Sequence, residues 1–179
     1  IIFGAFLERT GIANFFISFA NRIAGWSSGG PAKVAVISSA LCGMVSGSSV
    51  GNTVTTGSFT IPMMKKTGYK PEFAGAVEAA ASTGGQIMPP IMGAAAFLMA
   101  EYMKLPYAQV AVKAILPAIL YFTGIFIAVH LEAKKLGLKG VPREELPKWK
   151  LLARDCYLII PLILLVWLVS SGSKTMSHS

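Results

Sequence analysis

The sequence predicts an all-α, polytopic integral membrane protein, and three observations support this fold class. Of its 179 residues, 54% are hydrophobic and 13% are charged, which is about half the charged fraction of a typical soluble domain. The apolar residues form long blocks, most clearly at 108–130 and 156–170, each approaching the roughly 20 residues that a helix needs to cross a bilayer. Finally, 18 glycines and 10 prolines are present, and several of them interrupt other apolar stretches.

Residues 1–30 are predicted to contain the end of a transmembrane helix followed by an amphipathic arm helix. The arm helix is indicated by large apolar residues that recur at helical spacing, with polar residues on the other side: Ile12, Phe15, Phe16, Phe19 and Ile23. A short helix with one apolar face is most simply placed along the membrane interface.

Residues 31–66 are predicted to form a re-entrant helical hairpin. The first apolar stretch, 31–44, has about fourteen residues, too few for a full crossing. It runs into 46–53, which is so polar and rich in glycine that we expect it to be non-helical, and 54–64 is apolar again. Two half-length helices around such a tip would enter and leave the membrane on one side, with the tip buried in protein or lining a cavity.

Residues 71–103 are predicted to form a crossing helix that is broken in its middle. Pro71 suits the first turn of a helix, and 91–103 resumes the apolar pattern after the polar stretch 82–90. Within that stretch a Gly-Gly pair frees the backbone and a Pro-Pro pair removes two N–H donors. An unbroken helix is therefore not expected.

The rest of the chain is predicted to contain a transmembrane helix at 106–138, a cytoplasmic loop at 139–155, a transmembrane helix at 156–172 and a tail at 173–179. If 31–66 is a hairpin, eleven of the 16 basic residues share one side of the membrane: Lys33, Lys65, Lys66, Lys70, Lys134, Lys135, Lys139, Arg143, Lys148, Lys150 and Arg154. The positive-inside rule then indicates a hairpin that opens toward the cytoplasm. The net charge of +8 is thus explained by topology, and no nucleic-acid partner is expected.

The two polar interruptions, 46–53 and 82–90, carry the chemistry that the sequence offers. In membrane transporters, broken helices meet near the bilayer midplane, where freed carbonyls bind a cation and helix N-termini face an anion. Hydroxyl, amide and carbonyl oxygens are hard donors that suit Na⁺ better than a transition metal. The alternative is that the glycines serve close helix packing alone.

Three motifs resemble the large membrane subunit, or permease, of TRAP transporters: GSSVGNTVTTGSFTIP at 47–62, KKTGY at 65–69 and AAASTGGQIMPP at 79–90. The resemblance is strongest to the TAXI branch, in which the small and large membrane subunits are often fused. It extends from residue 1 to about residue 140. It implies the permease of a Na⁺-coupled, binding-protein-dependent secondary transporter that imports a small organic anion such as a carboxylate. The expected location is the inner membrane of a bacterium or archaeon, as a multi-pass protein.

The resemblance also implies an elevator-type fold with two inverted repeats. Residues 31–105 would be one half of its transport domain, and no second copy of the motifs appears. The chain, which begins at Ile1 within an apolar run, is therefore expected to be a fragment that contains the first hairpin repeat. The implied partners are a periplasmic TAXI-type substrate-binding protein, a small four-helix membrane subunit that is separate or fused, the organic anion and the lipid bilayer. Na⁺ is the coupling ion, no other cofactor is implied, and the protein is not expected to be an enzyme.

The resemblance also implies which residues form the binding site, by matching the family's motifs to this sequence. The resemblance places a Na⁺ site between the hairpin tip and the broken helix, with these ligands: Ser49, Asn52, Gly85, Met88 and Pro90. The last three would act through their backbone carbonyls, so their side chains matter little. Candidates of second rank, which would face the substrate, are Ser48, Thr53, Thr83 and Gln86.

Other hypotheses remain open at this stage. Glu78 would lie within the membrane, either as a proton or cation partner or as a structural group bonded to the hairpin backbone. Residues 47–51, GSSVG, match the nucleophile-elbow pattern. An intramembrane serine hydrolase would need a base beside Ser49, whereas His130 is predicted at the cytoplasmic interface. A passive channel or a structural membrane subunit is the stronger alternative.

Overall fold

The computed structural model describes residues 11–142, 146–147, 152, 156–161 and 163–164. In this part of the chain the regular elements are all helical, which agrees with the predicted all-α class. The α-helices are α1 (Ile12–Ala24), α2 (Gly30–Ser46), α3 (Ser49–Lys66), α4 (Pro71–Gly84), α5 (Ala94–Met103) and α6 (Tyr107–Lys135). Short 3₁₀ helices occupy Gly85–Ile87 and Cys156–Ile159.

Helices α2 and α3 form an antiparallel hairpin, and its tip is shorter than the sequence suggests. Gly47 ends α2 in the left-handed conformation, with φ of 63°, and Ser48 is the other residue between the helices. Ser48 caps α3, because its side-chain oxygen accepts a hydrogen bond from the Gly51 N–H at 3.2 Å. The expected interruption at 46–53 is therefore confined to Gly47 and Ser48, and the expectation is wrong for 49–53, since this cap lets α3 begin at Ser49 despite its glycine and polar residues.

Ser48→Ala should remove this cap and lower the free energy of unfolding by about 1 kcal/mol. Thermal unfolding of the purified protein measures the effect. Ser58→Ala is the matched control in the same helix, since Ser58 is exposed and its hydroxyl bonds the Thr55 carbonyl within the helix. Equal losses in the two variants would contradict the capping role.

Helix α1 packs its apolar face against α2. Ile12, Phe15 and Phe16 are buried together with Cys42 and Val45 of α2. The amphipathic pattern is thus used to bury α1 against the hairpin, which the sequence does not reveal. Its placement along the membrane interface stays a prediction.

The predicted break in the second element is present, and it extends further than expected. Helix α4 ends at Gly84, a 3₁₀ turn follows, and α5 begins at Ala94 rather than at residue 91. The freed backbone groups find other partners, because the Gly93 N–H donates to the Gln86 carbonyl at 2.8 Å and the Ile91 N–H donates to the Met44 carbonyl at 3.3 Å. These bonds hold residues 88–93 in a non-helical connection that includes a turn at 89–91, so the helix resumes three residues later than expected.

Helix α6 has 29 residues, which corresponds to about 43 Å of helix. Among the described residues it is the one helix that is long and apolar enough to cross a membrane, while α2 and α5 are shorter apolar helices. It packs against α4, where the Tyr121 hydroxyl donates to the Ala80 carbonyl at 2.9 Å. Alanines in the core permit this close approach of helices: Ala32, Ala35, Ala74, Ala81 and Ala133.

Several predicted segments lie outside the described residues. These are the end of a transmembrane helix near residue 1, much of the loop at 139–155, the later part of the transmembrane helix at 156–172 and the tail at 173–179. Where the last transmembrane helix is predicted to begin, Cys156–Ile159 form a 3₁₀ helix.

Candidate functional site

The hairpin tip and the break after α4 lie in direct contact. A Cβ atom placed on Gly43 would lie 2.4 Å from the Cα of Gly85, so only glycine fits on both sides of this contact. At the tip itself, a Cβ on Gly47 would lie 2.2 Å from the Met92 carbonyl oxygen. The structure therefore brings together the two interruptions that the sequence predicts in the hairpin and in the broken helix.

Asn52 lies at the centre of this contact and is fully buried. Its Nδ2 donates to the Ser39 carbonyl at 2.8 Å and lies 3.1 Å from the Ser39 hydroxyl oxygen. The same Nδ2 is 3.3 Å from the Cβ positions of Gly43 and Gly85. The carbonyl oxygen of the side chain, Oδ1, is buried and has no hydrogen-bond partner within the described part of the chain. An unsatisfied buried acceptor costs roughly 1–3 kcal/mol, so a cation or a hydrogen-bond donor bound to this oxygen would be favourable.

Ser49 connects the hairpin to the break. Its hydroxyl oxygen accepts a hydrogen bond from the Gln86 side-chain nitrogen at 2.7 Å. Its backbone carbonyl accepts from the Thr53 hydroxyl at 2.8 Å. The Ser49–Gln86 hydrogen bond therefore joins the first turn of α3 to the break after α4.

The other second-rank candidates form hydrogen bonds at the start of a helix or within it. Ser48 caps α3, Thr53 bonds within its own helix, and exposed Thr83 donates to the Ala79 carbonyl at 2.8 Å. Each hydroxyl oxygen keeps a lone pair, because a hydroxyl has one proton and two acceptor positions. Gln86 is the member of this group whose side chain joins the two interruptions.

The predicted carbonyl ligands lie in the break. The Gly85 carbonyl accepts from the Met88 N–H at 3.2 Å, and the Pro90 carbonyl accepts from the Tyr107 hydroxyl at 2.9 Å. Tyr107 also lies 2.6 Å from the Ile91 carbonyl. A carbonyl oxygen has two lone pairs, so these contacts leave each group one position for an ion. The half-buried Met88 side chain lines an apolar cleft between α2 and α6.

Two residues that hold the site were missed from the sequence. Tyr107 orients the break through the Pro90 and Ile91 carbonyls, and Ser39 orients Asn52. A tyrosine one residue after Pro106 carries no motif signal, and Ser39 sits in an apolar stretch that predicts packing alone. Only the folded contact identifies them.

Glu78 is also fully buried, and its bonds differ from the structural hypothesis. That hypothesis expects bonds to the hairpin backbone, whereas the carboxylate accepts from side-chain hydroxyls. Oε1 accepts from Ser39 at 3.2 Å, from Ser82 at 3.1 Å and, through a short contact, from Thr56. Oε2 accepts from Thr60 at 2.5 Å.

The hydrolase alternative finds no support in these contacts. The recorded partner of the Ser49 hydroxyl is the amide of Gln86, which cannot act as a general base. His130 lies near the C-terminal end of α6. Its Nδ1 has no hydrogen-bond partner among the residues described.

A helical hairpin that packs its tip against a broken helix, with a buried amide oxygen at the contact, is an arrangement found in helical membrane transporters with discontinuous helices. Comparison with known proteins gives the family. Residues 1–178 match the DctM component of the tripartite ATP-independent periplasmic transporters, and the chain belongs to this family. Members of this family are integral membrane proteins of the bacterial inner membrane and form a transporter component, which supports the prediction that the chain is not an enzyme.

Individual relatives agree with the family. The C4-dicarboxylate TRAP transporter large permease protein DctM of Vibrio cholerae is 29% identical over 150 residues, which are 84% of this chain and 32% of that protein. The protein of the same name from Pseudomonas aeruginosa is 26% identical over 176 residues, 98% of this chain and 41% of that protein. The sialic acid TRAP transporter permease protein SiaT of Haemophilus influenzae is 24% identical over 80% of this chain and 23% of its own length. The chain thus spans 32% and 41% of the length of these first two relatives.

Proposed function

We propose that this chain is part of the permease subunit of a Na⁺-coupled, binding-protein-dependent secondary transporter that imports a small organic anion. The single observation that carries the proposal is the buried Oδ1 of Asn52, which lacks a partner where the hairpin tip meets the broken helix. A bound cation would satisfy this oxygen and would explain why two interrupted helices pack so closely around it.

Na⁺ is the cation that best fits the surrounding groups. The ligands would be the side chains of Ser49 and Asn52 and the carbonyls of Gly85, Met88 and Pro90, which are all hard oxygen donors. Each of the side chains is already oriented, Ser49 by Gln86 and Asn52 by Ser39. None of the five ligands carries a charge, which suits a monovalent ion better than a divalent one.

The substrate class follows from the relatives and from the tip of α3. Relatives are named for C4-dicarboxylates, isethionate and sialic acid, all of which are organic anions. The N-terminus of α3 lies at the hairpin tip, and the positive end of its helix dipole favours a negative group there. Ser48, Thr53, Thr83 and Gln86 would line this side of the pocket. The specific anion would depend on the half-site that a second repeat supplies.

The same proposal includes the working assembly. A periplasmic binding protein of the TAXI type would deliver the anion, and a small four-helix subunit, separate or fused, would support the permease in the inner membrane. Residues 31–103 would move as one body in an elevator-like step, because the hairpin and the break share hydrogen bonds at Ser49–Gln86 and Met44–Ile91. By reciprocity, Na⁺ must favour substrate binding and substrate must favour Na⁺.

Uptake by the full-length transporter in proteoliposomes, with its binding protein outside, tests the proposal. Labelled C4-dicarboxylate, sialic acid and isethionate are the probes. An inward Na⁺ gradient should drive accumulation of at least one probe, and a K⁺ gradient should not. Downhill flux that is independent of Na⁺ and of the binding protein would instead show a passive channel. If the complex assembles with its binding protein but moves none of these anions under any gradient, the result favours the structural-subunit alternative.

A further inference from the structure

Glu78 forms a second polar cluster in the core, apart from the proposed Na⁺ ligands. Its side chain is fully buried, as are all four residues whose hydroxyls surround it: Ser39, Thr56, Thr60 and Ser82. These residues come from three helices, since Ser39 lies on α2, Thr56 and Thr60 on α3, and Ser82 on α4 with Glu78 itself. The hydrogen bonds of this carboxyl group therefore depend on how the hairpin packs against the broken helix.

No basic side chain neutralises this carboxyl group within the described part of the chain. The recorded ion pair joins Lys135 to Glu132, at the far end of α6. The other titratable groups on α4 and on the helices packed against it have other contacts or face outward: Lys33, Lys65, Lys66, Glu72, Tyr107, Lys113, Tyr121, Glu132, Lys134 and Lys135. His130 lies near the C-terminal end of α6, and its buried Nδ1 has no hydrogen-bond partner among the described residues, Glu78 included. A carboxylate without a counter-ion is costly at membrane depth, so a cation should neutralise it during transport.

The spacing of the oxygens favours a proton over a metal ion. Ser39 and Ser82 hydroxyl oxygens are 3.0 Å apart, and Thr60 Oγ1 is 2.5 Å from Glu78 Oε2. Oxygens at these distances are in direct hydrogen-bond contact, whereas ligands about 2.4 Å from a central ion would stand further apart. Gly57 packs close to the Glu78 side chain, because a Cβ at Gly57 would lie 3.1 Å from Glu78 Cγ.

We propose that Glu78 is a proton-binding site that takes up and releases one proton as the hairpin and the broken helix rearrange. In the ionised state the hydroxyls donate to the carboxylate. In the neutral state the new O–H bond at Oε2 donates to Thr60 Oγ1, and the Thr60 hydroxyl turns to the Thr56 carbonyl, 2.9 Å away. The proton comes from water and no other covalent bond changes. Both states satisfy every group named here, which a purely structural carboxylate would not require.

Ser39 connects this site to the proposed Na⁺ site. Its hydroxyl oxygen lies 3.2 Å from Glu78 Oε1 and 3.1 Å from Asn52 Nδ2. When Glu78 is ionised, the Ser39 hydroxyl donates to it and presents its lone pairs to the Asn52 amide. Protonation of Glu78 removes the stronger, charge-assisted acceptor and loosens this orientation. This link to transport rests on the proposed function, whereas proton binding by Glu78 does not.

Infrared difference spectroscopy of the purified full-length permease, between acid and alkaline buffer, tests the proposal directly. The wild type should show a protonated-carboxyl band that appears on acidification and that Glu78→Gln removes. Glu72→Gln is the control, because Glu72 is an exposed carboxylate on the same helix. If the wild type and Glu78→Gln give the same difference spectrum over the pH range in which the protein stays folded, Glu78 does not exchange a proton and the proposal is wrong.

A second variant keeps the test valid if Glu78→Gln does not fold. Thr60→Val removes one hydroxyl and nearly preserves volume, so it should move the same band to higher frequency without abolishing it. An unmoved band would assign it to another carboxyl group. Stabilisation by Na⁺ is measured in parallel. If Na⁺ stabilises the wild type but the wild type shows no such band, the proton site alone has failed. If the wild type shows the band but no Na⁺ response, the proposed function has failed.

Discussion

Asn52→Ala is expected to raise the Na⁺ concentration that gives half-maximal stabilisation of the full-length permease by about 10–100-fold. The substitution deletes Oδ1, the buried oxygen that has no other partner in the described residues. A hydrogen bond or ligand contact that involves a charged group contributes roughly 1.5–3 kcal/mol, and 1.4 kcal/mol corresponds to a factor of ten in affinity. The unfolding temperature across a Na⁺ titration at constant ionic strength measures the change.

The prediction is judged by the Na⁺ concentration that gives half-maximal stabilisation, and not by the stability of the variant without Na⁺. Asn52→Ala also removes the bonds to Ser39, so the variant should be less stable even without Na⁺. Thr55→Ala is the matched control on the same helix, because its hydroxyl bonds only the Gly51 carbonyl one turn earlier in the recorded contacts. A Na⁺ titration of Asn52→Ala that overlays the wild type would remove the basis of the cation site.

Gly85→Ala is expected to separate the hairpin from the broken helix and to destabilise the protein by about 1–3 kcal/mol or more. The new methyl group would lie 2.6 Å from the Gly43 Cα. A backbone atom cannot rotate away as a side chain can, so one of the two helices must shift. Because Asn52 Nδ2 is 3.3 Å from the same position, the shift should also weaken the Na⁺ response. Thermal unfolding with and without Na⁺ measures both effects.

Gly75→Ala provides the control for this glycine contact. Gly75 lies on the same helix, α4, and nothing is within 4 Å of the position its Cβ would take. Alanine is preferred over glycine in a helix by roughly 1 kcal/mol, so this variant should be as stable as the wild type or more stable. If Gly85→Ala behaves like Gly75→Ala, the close contact between Gly43 and Gly85 is not formed in the membrane.

The positions of the two interruptions could be predicted because glycine and proline act on the backbone locally. Gly47, in the left-handed conformation, ends α2, and the Gly-Gly and Pro-Pro pairs of 82–90 favour a break in the helix at that position. Their exact extent could not be predicted, since it depends on what the freed N–H groups meet. Ser48 captures the first turn of α3, and the Met44 carbonyl captures the Ile91 N–H. Neither choice is visible in local composition.

The sequence by itself determined the helical class, the order of the helices, the hairpin between them and the membership in a transporter family, because periodicity, helix breakers and motifs are local properties of the chain. Only the tertiary structure decided that Asn52 keeps an oxygen without a partner, that Tyr107 holds the break and that four hydroxyls surround Glu78. Those facts depend on contacts between residues that are far apart along the chain. Such contacts form only when packing has fixed which faces of the helices meet.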